Sequence, residues 1–121
     1  AATAPEKLKA IFAFFESYIT NPDVKGGCPL MNAAIEADDA NPTLRKGALR
    51  ILNILRDSVI TILQNGIKYD QLKKDIDLEY YATLNIASLE GAIMMSKLRG
   101  DNDDIRRVVK HLKIQIQEIE L

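Results

Sequence analysis

The stretch from Asp77 to Leu121 limits the folds open to this chain more than any other. Its last part places Ile105, Val108, Val109, Leu112, Ile116 and Ile119 at steps of three and four, the spacing of one stripe along a helix. The part before it is apolar round most of a helical circumference, with Leu78, Tyr81, Leu84, Ile86, Leu89, Ala92, Ile93, Met94, Met95 and Leu98. A helix apolar on most sides is either buried or shared between a core and an interface. The two segments predict a helical hairpin that pairs with its copy in a second molecule as an intermolecular four-helix bundle. Leu89, Ala92, Ile93, Ile105, Val108, Val109, Leu112 and Ile116 are the residues expected at that interface. The same residues would serve a monomeric bundle as core, and the pattern alone leaves both open.

A chain of 121 residues makes one domain, 1–121, long enough to bury roughly 65% of the surface its unfolded form exposes. No apolar run reaches the roughly 18 residues of a membrane span, and no signal-peptide pattern opens the chain. A net charge of −1 leaves no electrostatic footprint for nucleic acid or an anionic membrane. The single cysteine, Cys28, excludes an internal disulfide and fits a reducing, cytoplasmic setting. The chain opens Ala-Ala-Thr without an initiator Met, as a piece of a longer protein would.

Thr3-Ala4-Pro5-Glu6 has the form of a capping box with a proline in the first turn. The helix it starts carries Leu8, Ile11, Phe12, Phe15 and Ile19 on one side and ends at Asn21-Pro22. All three phenylalanines lie there, as core filler or as the wall of an apolar pocket. Gly26-Gly27 permit a tight turn, after which Cys28 and Pro29 open a helix to about Asp39. Asn41-Pro42 begin the longest helix, expected to stop at Gly66 and to form the spine of the domain. A connector follows, and Asp77 caps the next helix. Gly91, within the small-residue patch Ala87, Ser88, Gly91 and Ala92, predicts a close backbone approach. Gly100 closes that helix, and the acids from Asp101 to Asp104 suit the start of the last one. Arg106, Arg107, Lys110 and Lys113 form its solvated basic side. Together these segments predict an all-α antiparallel bundle of about five helices.

Catalytic chemistry is not indicated. There is no nucleophile elbow, no phosphate-binding glycine loop, and no CxxC or HExxH spacing. The only histidine, His111, lies off the main stripe, and Glu36 and Glu90 have no spacing that makes them a pair. Neither a metal nor another cofactor is expected.

Three pieces in this order carry a likeness. Gly27-Cys28-Pro29-Leu30 is followed by Asn32 and Glu36; a long Leu- and Arg-rich helix runs to Gly66; and Asp75-Ile76-Asp77 leads into Leu89-Glu90-Gly91-Ala92. This arrangement, from about Ile11 to Met95, resembles the C-terminal regulatory domain of TetR-family transcriptional regulators. The resemblance implies a homodimer joined by the last two helices, with a small-molecule effector held in each subunit. It also implies an N-terminal helix-turn-helix domain that binds operator DNA, which this chain lacks, and it favours a repressor. An effector site implied in this way would be walled by Phe12, Phe15, Met31, Ile35, Leu55, Val59 and Tyr81. Its polar anchors would be Asn32, Arg56 and Glu90. A mostly apolar lining suits an apolar or amphipathic ligand. The competing expectation is a stand-alone helical dimerisation or adaptor domain without a ligand.

Overall fold

A computed structural model of the chain describes residues 2–20 and 41–121, with the side chains of 18–20 left aside. Among the described residues there are four helices: α1 (Ala4–Thr20), α2 (Pro42–Lys68), α3 (Leu78–Arg99) and α4 (Asp103–Ile119). The all-α bundle is therefore as expected. The helix anticipated between Pro29 and Asp39, which would make five, lies outside the described residues, as does its N-cap Cys28.

Helix starts follow the local chemistry of the sequence. Thr3 Oγ1 accepts the Glu6 amide at 3.4 Å and donates its hydroxyl hydrogen to the Glu6 carboxylate at 3.1 Å. The box thus closes side chain to side chain, where a reach back to the Thr3 amide was expected. Asn41 Oδ1 accepts from the Leu44 amide at 3.1 Å, with Pro42 just inside α2. Asp77 Oδ1 does the same for the Tyr80 amide at 3.1 Å. Each cap satisfies one of the amides that a helix start leaves without an intrahelical partner.

The α3–α4 turn is fastened by Ser96. Its carbonyl accepts from Gly100 at 2.9 Å and Asp101 at 3.3 Å, with Gly100 left-handed at φ 75° as a helix stop requires. Its buried hydroxyl oxygen accepts the Ile105 amide of α4 at 3.1 Å. One serine therefore ends one helix and caps the next. Asn102 makes no side-chain cap bond; Asp101 Oδ1 accepts from the Asp103 amide at 3.0 Å instead.

The core gathers Leu8, Phe12 and Phe15 of α1, Val59 and Leu63 of α2, Ala82, Leu89 and Ile93 of α3, and Ile105, Leu112 and Ile116 of α4. Helix α1 touches all three of the others, and α3 packs most extensively on α4.

Helix α2 departs from expectation by running past Gly66 to Lys68. Gly66 is not its stop. The chain turns at Asp70, which is left-handed at φ 56°, and folds Leu72 back so that the Gln71 and Leu72 amides donate to the Gly66 carbonyl at 2.8 and 3.1 Å. A Cβ on Gly66 would lie 2.5 Å from Leu72 Cδ1 and 2.7 Å from Ala4 Cβ. The glycine is there so that α1, α2 and the connector can meet. Gly66→Ala gains roughly 1 kcal/mol in helix propensity against about 1–3 kcal/mol of overpacking. We expect urea denaturation to show a net loss, whereas Gly47→Ala, whose added Cβ meets nothing within 4 Å, should gain stability.

Candidate functional site

The structure brings part of the expected effector wall together. Phe12, Phe15, Val59 and Tyr81 are buried in the common core cluster, and half-buried Leu55 packs on it. Met31, Asn32 and Ile35 lie outside the described residues. Arg56 is engaged by α3. Its Nη1 donates to Thr83 Oγ1 at 2.9 Å, and Nη2 stands 3.6 Å from the Glu79 carboxylate. Arg56 therefore ties α2 to the outer side of α3 and does not point inward as a ligand anchor. A long cation on a helix that is apolar on two sides reads either way from spacing alone.

Tyr81 and Glu90 are both buried, Glu90 at 8% exposure, yet they do not share a pocket wall. Nine residues at about 3.6 per turn put them on opposite flanks of α3. The Tyr81 flank faces α4, where the charge of Glu118 bears on its hydroxyl. Burial pushes the Tyr81 pKa up, the nearby Asn85 side chain draws it partly back, and Glu118 raises it again. Asn85 Nδ2 donates to the Tyr81 carbonyl at 2.9 Å, but neither the Tyr81 hydroxyl nor Asn85 Oδ1 makes a well-formed hydrogen bond among the described residues. Glu90 sits on the other flank, one turn from Ile86. An apolar cluster with the buried Glu90 carboxylate at its margin suits binding better than bond-breaking. Among the described residues no three His, Cys, Asp or Glu side chains gather as a metal site, and His111 is exposed.

The residues expected at the contact with a second copy lie mostly inside their own chain. Leu89, Ala92, Ile93, Ile105, Val109, Leu112 and Ile116 are buried in the core of their own chain, and Val108 is half-buried at its edge. Side chains already covered have no surface left to offer. The other side of α3 does. Tyr80, Leu84, the pair Ala87 and Ser88, Gly91, the pair Met94 and Met95, and Leu98 recur once per helical turn, all exposed or half-exposed, Leu98 at 82%. Periodicity counted back from Leu98 would have found this arc, which the richer core arc obscured.

The sequence comparisons agree with this architecture. A family model described as "Tetracyclin repressor-like, C-terminal domain" matches residues 4–112. The chain belongs to this family. Among solved structures it is similar to a TetR transcriptional regulator from Chloroflexus aurantiacus, with 30% identity and a TM-score of 0.95, over 100% of this chain and 62% of that one. A TetR-family regulator from Cytophaga hutchinsonii matches with 29% identity and a TM-score of 0.84, over 100% of this chain and 60% of its own. The chain thus spans about three-fifths of these regulators. No curated protein matches it.

Tyr81 gives this TetR-type domain an alkaline signature. The hydroxyl titrates near 10.0 when unperturbed and higher in the fold, so the fold prefers its neutral form. That contribution to stability is fully present below pH 10 and is lost as pH rises through the folded pKa. Urea denaturation across pH 9 to 11.5 should show a steeper decline for the parent than for Tyr81→Phe. Equal slopes would remove Tyr81 as the source.

Proposed function

We propose that this chain is the effector-sensing and dimerising part of a TetR-type transcriptional repressor. It binds a small apolar or amphipathic molecule and pairs with a second copy through α3 and α4. The effector changes the affinity of a preceding helix-turn-helix domain for operator DNA. The observation that carries the reading is the apolar arc from Tyr80 to Leu98, left open by a helix that is buried on its other side. Contiguous apolar surface of this kind marks an interaction site, and two-fold pairing is the commonest way to cover it. Small residues at Ala87, Ser88 and Gly91 permit close helix approach there. Phe12, Phe15, Leu55 and Val59 support the apolar character of the ligand, and Glu90 is the polar group best placed to orient it. A ligand-free dimerisation domain draws its support from the close packing of those same side chains. Cytoplasmic location follows from the proposed DNA target; no described helix is long and apolar enough to cross a membrane.

Sedimentation separates the two arcs of α3. Leu98→Asp and Met95→Asp should shift a dimer to monomer with helix content retained. Ile93→Asp should unfold the chain, because it buries an unpaired charge. A parent chain that sediments as a monomer of 13.5 kDa would overturn the dimer. Native mass spectrometry of the dimer as purified, and after titration with a panel of apolar and amphipathic compounds, tests the effector. Retention of none of them, with no rise in melting temperature, would favour the ligand-free alternative.

A further inference from the structure

The start of α1 is tied to residues 119–121 through the connector 69–77. The Ala4 amide donates to Gln71 Oε1 at 2.8 Å, and Ala4 is itself buried against Gly66 and Leu72. On the other side of the connector, Lys73 donates to the Ile119 carbonyl at 2.8 Å, and Leu121 donates to the Gln71 carbonyl at 3.2 Å. Leu72 and Glu120 thereby form an isolated antiparallel bridge, with the Leu72 side chain wholly buried beneath it. Gln71 is the shared member: its side chain holds α1, its carbonyl holds Leu121, and its amide is held by Gly66. Asp70 pays for this course with a left-handed backbone.

We propose that this junction is a latch that couples the start of α1 to the segment that follows α4, so that the first turn of α1 and residues 119–121 tighten and loosen as one unit. Its functional consequence rests on the reading that a DNA-reading domain precedes α1. The latch then stiffens the point at which the two domains join, and residues 119–121 regulate that stiffness. The coupling itself is a property of this chain and is tested without DNA. Hydrogen exchange should be followed amide by amide in the parent, in Gln71→Ala, and in the chain shortened by Glu120 and Leu121. Gln71→Ala should speed exchange at Lys73 and Leu121 about fivefold, the factor an ordinary hydrogen bond supplies. The shortened chain should do the same at Lys7 and Leu8, which lie far from the deletion in sequence. Leu89 and Ile93 should keep their parent rates in both. Effects confined to the edited end, or an equal rise at Leu89 and Ile93, would overturn the latch. Failure of the longer protein to bind DNA would instead sink the regulator reading and leave these exchange patterns unchanged.

Discussion

Helix α3 has almost no polar face to give to water, and the arrangement of the other helices answers that constraint. Its inner arc, with Ala82, Leu89, Ala92 and Ile93, is covered by its own chain, which requires α1, α2 and α4 to lie against it together. Each buried Leu or Ile contributes roughly 1.5–3 kcal/mol, so this arc alone is a large fraction of what holds a domain of this size. The outer arc is left with Tyr80, Met94, Met95 and Leu98 in solvent. One helix therefore both completes the core and leaves an apolar face for a partner.

A helix apolar all round has little reason to prefer one rotation about its axis over another, because turning it exchanges apolar side chains for apolar side chains. Polar contacts supply what hydrophobic burial cannot. The Ser96 hydroxyl accepts the Ile105 amide, and Arg99 Nε stands 2.8 Å from Asp104 Oδ2 while Arg107 Nη1 stands 3.1 Å from Oδ1. The Arg99 contact is an ion pair without hydrogen-bond alignment, and both arginines are largely exposed. Such pairs add little stability. The Arg107 pair lies within α4 and holds the Asp104 carboxylate in place; the Ser96 and Arg99 contacts, which cross between the helices, fix which side of α3 faces inward.

Much of the fold could be read from the residues, because capping is local. Thr3, Asn41, Asp77 and Gly100 act within four positions of themselves, and each stands where its chemistry placed it. Gly66 was misread because a glycine ending an apolar repeat looks the same whether it stops a helix or makes room for Leu72 and Ala4. Only a contact distant in sequence tells them apart. The residues expected at the interface are mostly buried in their own chain, and spacing missed this for a related reason. Spacing reports that a helix is apolar on an arc, not which neighbour covers it, and α3 has two such arcs. Arg56 and Tyr81 show the same limit at the candidate effector site: spacing put both near one cavity, whereas Arg56 bonds to exposed Thr83 and Tyr81 is buried in the core cluster.

On the proposed function, this two-sided helix supplies the link between effector and dimer. Glu90 and Ile86 lie on one flank, the Tyr81 flank rests on α4, and the open arc from Tyr80 to Leu98 lies outside both. Those polar contacts oppose rotation, so a molecule that pushes on the Glu90 flank can move α3 only as a body, by tilt or translation. Any such movement alters how the outer arc meets its partner. An effector can then shift the regulator only to the extent that it binds one placement of α3 better than the other. By the same reciprocity, residues on the outer arc that never touch the effector must influence how tightly it is held.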